Sequence, residues 1–193
     1  AKRKQMKLKR IFDLILAIIF LTLLAFPMFL IYISIHVTSK GDALYWSKRV
    51  GKNNSIFLMP KFRSMKNDTP AIATHLFKDS DTHLTTVGKF IRRYSFDEFP
   101  QLFSIIKGDM SFVGPRPALF NQDDLILLRI DKGVDKLIPG LTGWAQINGR
   151  DDISIIKKVE LDAQYIHLKS FWFDIEILIK TFIKVLKSEG ISH

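Results

Sequence analysis

Residues 14–37 read LILAIIFLTLLAFPMFLIYISIHV, 24 consecutive positions without a formal charge. As a straight helix rising 1.5 Å per residue, this stretch is about 36 Å long, enough to cross a hydrocarbon core of roughly 30 Å. Six of the ten residues at the start of the sequence are Lys or Arg, so a basic segment leads into the apolar one. The apolar run is too long for a secretory signal and has no small-residue cleavage site, so it is expected to be retained. Pro27 divides it. Two topologies follow: one spanning helix kinked at Pro27, or a re-entrant hairpin that turns near Pro27 and returns by Val37. In the hairpin each arm has about 10 to 13 residues, roughly 15 to 20 Å, too short to cross. The basic excess before Leu14 favours a cytoplasmic N-terminus, while Lys40, Lys48, Arg49 and Lys52 make the far flank basic too. Charge and length leave the two topologies level.

The chain has 193 residues, a formal net charge of +10, 47% hydrophobic residues and no cysteine. That length suits one domain with an appendage. The only plausible boundary is near Thr38 to Asp42, giving residues 1–38 as the membrane segment and 39–193 as the folded domain. Without cysteine there are no disulfides and no thiolate metal sites. The histidines His36, His75, His83, His167 and His193 are scattered, with no pair at ligand spacing, so no zinc site is expected. A pI near 9.8 points to polyanionic partners: nucleic acid, anionic lipid or nucleotide phosphate.

Beyond the boundary the pattern is mixed helix and strand. Tyr45 to Val50, the turn Gly51-Lys52-Asn53-Asn54 and Ile56 to Phe62 read as a β-hairpin that delivers Lys61 and Arg63 in the string KFRSM. Thr69-Pro70 opens a short apolar helix through Phe77, suited to a membrane surface. Thr86 to Tyr94 is expected to be helical, as are Asn121 to Ile130, with Gly133 beyond, and Asp151 to Leu168, with Asp151 or Asp152 as cap. Phe171 to Leu186 places Ile175, Leu178, Ile179, Phe182, Ile183 and Leu186 on one face, either core-packed or interfacial.

The chemistry concentrates in Ser95-Phe96-Asp97-Glu98-Phe99-Pro100-Gln101, where two carboxylates follow Arg92 and Arg93 and precede an apolar run. With Asp97 as N-cap, Pro100 falls at the third helical position, where its missing N–H is harmless. The free N–H groups and dipole of a helix start favour ionised Asp97 and an anionic ligand beside it. Such a carboxylate is a nucleophile toward phosphorus, with its neighbour as base or metal ligand. The plainer alternative is a helix start with acidic first-turn residues, Ser95 and Glu98 forming a capping box.

Two further loops suit phosphate. In Gly108-Asp109-Met110-Ser111-Phe112-Val113-Gly114-Pro115-Arg116-Pro117, prolines on both sides restrict Arg116 to an extended backbone, and either X-Pro bond is a candidate for cis. A guanidinium fixed this way fits phosphate oxygens. The stretch from Pro139 to Arg150 holds three glycines, which permit close backbone approach to a ligand, and Trp144, which either stacks on a base or packs. No dinucleotide or Walker fingerprint is present, so the usual nucleotide folds are not expected.

Taken together, KFRSM, FDEFPQL, GDMSFVGPRP and PGLTGWAQINGR, in this order behind a basic and apolar N-terminus, resemble the bacterial sugar transferases, the monotopic phosphoglycosyl transferases. The resemblance covers nearly the whole chain. It is strongest to the small single-domain members, such as those that load N,N′-diacetylbacillosamine 1-phosphate onto undecaprenyl phosphate. It implies an α+β fold: a mostly helical small domain with a β-hairpin, a re-entrant membrane helix broken near Pro27, and interfacial amphipathic helices. It implies that Asp97 attacks a UDP-sugar, releasing UMP, and that undecaprenyl phosphate then takes the sugar phosphate from a phosphosugar-aspartyl intermediate. Mg²⁺ is implied as cofactor, with Asp97 as its protein ligand, and Glu98 as the group that orients or deprotonates the acceptor. Lys61, Arg63, Arg92, Arg116 and Arg150 are the implied anion contacts. The implied partners are a UDP-sugar, undecaprenyl phosphate and membrane lipid, at the cytoplasmic face of the bacterial inner membrane, in glycoprotein or polysaccharide assembly. The family's break carries a Ser-Pro pair; here Phe26 precedes Pro27, so the hydroxyl that would bond a freed carbonyl is missing.

Two rival readings remain. A membrane-anchored nucleic-acid binder would need basic residues interleaved with exposed aromatics, whereas here the cations surround an acidic pair that repels nucleic-acid phosphates; no nucleic-acid partner is expected. A non-catalytic membrane scaffold would use the apolar segment only to anchor a partner.

Overall fold

In the computed structural model, residues 2–66, 69, 80–149 and 153–186 are described. Of the expected apolar helix opened by Thr69-Pro70 only Thr69 is among them; Pro70 to Phe77, the cap at Asp151 or Asp152, and Arg150 lie outside. The long helix α1, Lys2–Thr38, continues through Pro27 as one element. The expected break near Pro27 is therefore not visible as an end of helix: proline removes its own N–H from the ladder, but helical turns resume on both sides. The stretch Met6–Thr38 is long and apolar enough to cross a membrane.

Yet α1 is also a core element. Ala17 is fully buried, with Leu16, Leu21 and Leu24 packed on the same cluster, and Ile35 is fully buried in a second cluster with Met28 and Ile31. Positions 17, 21, 24, 28, 31 and 35 recur at helical spacing, so a single stripe packs against the domain on both sides of Pro27. The opposite side exposes Ile15, Ile19, Leu23, Phe26, Leu30 and Ile33.

The hairpin forms as expected: β1 (Leu44–Val50) pairs antiparallel with β2 (Ile56–Phe62), Tyr45 opposite Lys61 and Arg49 opposite Phe57. Asn53 and Asn54 take positive φ at the turn, a conformation asparagine tolerates. The inner face carries Ser47, Phe57 and Met59, all buried.

Next come α2 (Thr86–Arg93), capped by Thr85, whose hydroxyl accepts from Gly88 N–H, a 3-10 turn at Phe96–Glu98, and α3 (Gln101–Lys107). Asp97 is thus not the cap of α3, and Ser95, in the left-handed region at φ 57° with no side-chain cap bond, forms no capping box. Glu98 is instead drawn to two cations. Pro100 stands at the mouth of α3, where its missing N–H costs nothing.

Two stretches expected to be loops pair as short parallel strands, β3 (Ser111–Val113) and β4 (Gly140–Thr142). Gly140 is required there: a Cβ would lie 2.1 Å from the backbone nitrogen of Gly114. The close approach these glycines permit is to neighbouring backbone. No peptide bond is cis among the described residues, so both prolines beside Arg116 follow trans bonds.

The remaining helices are α4 (Asp123–Asp131), α5 (Trp144–Ile147), α6 (Ile155–Leu168) and α7 (Phe171–Leu186). The cap of α6 is Ser154, whose hydroxyl accepts from Lys157 N–H. Trp144 packs on Phe173, centroids 5.1 Å apart, so its packing reading holds. On α7 the inward residues are Asp174 and Ile177, while Trp172, Ile179, Phe182 and Ile183 are exposed, so the apolar face expected on this helix is largely outward.

Candidate active site

The turn at Phe96–Glu98 sets the two carboxylates between the end of β2 and the Arg116 loop. Glu98 is gripped on one oxygen: its Oε1 accepts from Arg116 Nη2 at 2.7 Å and from Lys61 Nζ at 3.0 Å. Burial alone would raise its pKa, but the charges and hydrogen bonds of Arg116 and Lys61 outweigh it and hold Glu98 well below the ordinary carboxylate range. Lys61, buried in turn, is pushed down by desolvation and only partly rescued by Glu98 and Asp97.

Asp97 differs from its neighbour. It is 92% buried, its residue exposure being 8%, and has no hydrogen bond or ion pair among the described residues. Burial pushes its pKa up to about 6; Lys61, Arg92 and Arg116 oppose the rise, and the negative charge of Glu98 adds to it. The pair therefore divides into one carboxylate held ionised and one left basic. A basic carboxylate that is still ionised at neutral pH makes a better nucleophile than an ordinary aspartate.

Of the expected site residues, the fold brings together Asp97, Glu98, Lys61, Arg116 and Arg92. It does not bring Arg63 to them. Its guanidinium donates to the carbonyls of Ser39 (3.1 Å), Lys40 (2.7 Å) and Gly41 (3.3 Å) and to the Ser39 hydroxyl (2.7 Å), closing the C-terminal end of α1. Cations are favoured at that end by the helix dipole.

Two groups escaped the sequence reading. Arg49, first seen only as flanking charge, lies on the inner hairpin face beside Arg116 and Glu98; burial and then the charge of Arg116 push its pKa down to about 10. The signal was there: an Arg two residues from buried Ser47 sits on the inward face of a period-2 strand. The second is an anchor for α1. Lys9 Nζ donates to Val113 O (2.8 Å), Tyr165 Oη (3.0 Å) and Asp174 Oδ2 (2.6 Å), and Tyr165 donates to Asp174 Oδ1 at 2.6 Å.

No cluster of three potential metal-ligating side chains occurs among the described residues. The donor set still fits Mg²⁺, which takes one or two carboxylates and completes its shell with substrate phosphates and water. With Glu98 engaged by two cations, Asp97 is the carboxylate available for that purpose.

A buried basic aspartate beside a cation-locked glutamate, under a proline-framed arginine, is an arrangement for handling phosphate. The model of the family described as "Bacterial sugar transferase" matches residues 4–188. The chain belongs to the bacterial sugar transferase family. It is 38% identical over 209 residues to the undecaprenyl-phosphate galactose phosphotransferase of Salmonella typhimurium, covering 98% of this chain and 43% of that protein. It is 41% identical over 191 residues to the uncharacterized sugar transferase EpsL of Bacillus subtilis, covering 97% and 92%. To the UDP-glucose:undecaprenyl-phosphate glucose-1-phosphate transferase of Escherichia coli it is 36% identical over 185 residues, covering 92% and 40%. The chain thus spans less than half the length of the Salmonella and Escherichia relatives and nearly all of EpsL.

Proposed function

We propose that this chain is a phosphoglycosyl transferase that moves a sugar 1-phosphate from a UDP-sugar to undecaprenyl phosphate. The observation that carries the reading is the asymmetry of the dyad: Glu98 bound by Lys61 and Arg116, Asp97 buried, basic and without a bond among the described residues. Asp97 Oδ attacks the β-phosphorus, the bond from that phosphorus to the bridging oxygen breaks, and UMP leaves with the electron pair. A phosphate oxygen of undecaprenyl phosphate then attacks the phosphosugar-aspartate, the bond to Asp97 breaks, and the lipid carries away a diphosphate sugar. Splitting the transfer means that two polyanions need not occupy the site together. Bound Mg²⁺ would neutralise pyrophosphate charge, with Asp97 and substrate oxygens as its ligands. Arg116, Lys61 and Arg92 offset the phosphate charge from the protein side, and Glu98 orients the incoming acceptor.

The membrane reading rests on α1 and its neighbours. One stripe of α1 packs against the domain on both sides of Pro27 while the rest of its apolar surface is exposed; we read this as a helix that enters and leaves on one face, bending at Pro27 when in the membrane. Exposed Phe90 on α2 and Tyr94 at its C-cap, Phe103 on α3 and Trp172, Ile179 and Phe182 on α7 suit immersion at headgroup depth. The site then meets a lipid phosphate at the inner membrane and a cytosolic sugar nucleotide together. The names of the relatives differ in the sugar, galactose in one and glucose in another. A donor panel of UDP-galactose, UDP-glucose and UDP-N,N′-diacetylbacillosamine therefore chooses among hexose and diacetylbacillosamine donors.

The test is intact-mass spectrometry of the protein after donor and Mg²⁺ without acceptor. A phosphosugar adduct that vanishes in Asp97→Asn and on chelation is the expected result. Turnover with no adduct at any time, and only with both substrates present, sinks the covalent route. Turnover that survives Asp97→Asn would remove Asp97 from the chemistry, and no UMP release by the unmutated chain from any donor would favour the scaffold reading. Tags at both termini are expected to be reachable from the cytoplasm alone.

A further inference from the structure

Arg116 owes its position to groups that never touch Glu98. Pro115 and Pro117 have no N–H, so the loop is held by its carbonyls, and four in succession are taken. Pro115 O accepts from Gly140 N–H at 2.9 Å and Ala118 O from Val50 N–H at 3.0 Å. Between them, Arg116 O accepts from Arg129 Nη1 at 2.8 Å and Pro117 O from Arg49 Nη1 at 3.1 Å. Strands β1 and β4 and helix α4 thus hold the loop from separate sides.

The two central holders are themselves fixed. Arg129 is buried on α4 and donates through Nε (3.1 Å) and Nη2 (2.7 Å) to one oxygen of Asp162, which is 2% exposed on α6. Arg49 donates through Nε to the Ser47 hydroxyl at 2.9 Å, and Ser47 is 2% exposed. A planar guanidinium tied at one nitrogen aims another in a fixed direction, which a flexible ammonium does not. A carbonyl needs only a neutral donor, so burying two cations for this purpose calls for a second role. The charge of Arg49 offers one, since it lies near enough to repel Arg116 and attract Glu98, and Arg129 is paired with Asp162.

We propose that Arg49 and Arg129 are positioning residues for Arg116, fixing its backbone through the carbonyls of residues 116 and 117 so that its guanidinium is set to receive donor phosphate. This rests on the transferase reading above. Neither residue has to touch the donor.

The experiment is a double-mutant cycle on the full chain in nanodiscs, following UMP release from the UDP-sugar that the wild type accepts. Arg49→Met is expected to raise KM for the donor about tenfold, more than it lowers kcat, since misplacing a binding group by an ångström costs ten- to a hundredfold. Arg49→Lys, which keeps the charge and loses the fork, is expected to recover only part of that loss. On an Arg116→Lys background the same Arg49→Met change is expected to cost less than about twofold, because the residue through which it acts is already altered. Equal losses on both backgrounds, or wild-type KM in Arg49→Met, overturn the proposal. If Arg49→Met does not fold, Arg49→Lys carries the same cycle with the same criterion. A purely structural role would lower the active fraction, and with it kcat, by the same factor on either background. Failure of the unmutated chain to release UMP from any donor refutes the transferase reading instead, so the two failures are distinct.

Discussion

Replacing Asp97 by Asn is expected to remove the chemistry and make the protein more stable. The carboxyl is buried and carries a folded-state pKa of about 6 against an ordinary 3.8. An acid whose pKa is raised on folding binds its proton more tightly in the folded state. Well below pH 3.8 both states are protonated and nothing is lost; as pH rises from about 4 to 6 the unfolded state gives up its proton first and the folded state loses stability relative to it. The full difference, present above about pH 7, is worth about 3 kcal/mol at 1.36 kcal/mol per pH unit. Asparagine mimics the protonated acid in size and cannot ionise, so Asp97→Asn regains that amount at neutral pH. For a chain of this length, about 3 kcal/mol is about 6 to 12 °C in melting temperature. The measurement is thermal unfolding of both proteins in the same detergent with chelator present, at pH 4.5 and pH 8, since a bound cation would offset the penalty. A gap of that size at pH 8 that shrinks to about a third, about 1 kcal/mol, at pH 4.5 is expected. An Asn variant no more stable than the wild type at pH 8, or a gap independent of pH, would refute the assignment of Asp97 as a desolvated, unpaired carboxylate.

Donor cleavage at saturating Mg²⁺ is expected to rise with pH as Asp97 ionises, with a midpoint at or below about 6, read from initial UMP release. Glu98→Gln is expected to shift that midpoint to lower pH, because the charge that raises Asp97 disappears and Lys61 and Arg116 turn to the remaining carboxylate; an unmoved midpoint refutes the coupling. Gly140→Ala brings a Cβ to 2.1 Å from Gly114 N and 2.4 Å from Thr142 O, both backbone. Overpacking there is expected to cost about 3 kcal/mol or more, seen as a large fall in melting temperature. Lys9→Met leaves Asp174, which is 6% exposed, without its cation. A loss of about 2 to 3 kcal/mol is expected by denaturant titration, the partial exposure of Lys9 reducing the full value for a buried pair.

The hairpin, α2 and α7 were legible from their periods and turn or cap signals, and α4 from its acidic start, apolar middle and the Gly133 that follows. Strands β3 and β4 were not, since three residues rich in glycine have no period and become strands only on meeting each other. The dyad and Arg116 were legible as residue types in a stiff setting. That Arg63 turns to the end of α1, while Arg49 joins the site, was decided by which helix end and which strand face lay nearby. The packing role of α1 was hidden for another reason. A helix apolar on every side gives no moment to mark its buried stripe, so Ala17 and Ile35 look the same in sequence as Leu23 and Phe26.

The placement of the cations explains why two adjacent carboxylates are useful where one would not suffice. If Lys61 and Arg116 closed on Asp97, its pKa would fall and its lone pairs would be spent on hydrogen bonds, leaving a poor nucleophile. By taking both cations on a single oxygen, Glu98 keeps positive charge at the site where the proposed reaction needs it for a pyrophosphate, while Asp97 has no bond among the described residues. An arriving donor brings negative charge that competes with Glu98 for Arg116. Any share of Arg116 released to the phosphates weakens the hold on Glu98 and raises its basicity at the stage when an acceptor phosphate must be oriented. On the proposed mechanism the same pair of cations would link donor binding to acceptor activation, and Glu98 would hold the charge that the donor draws on.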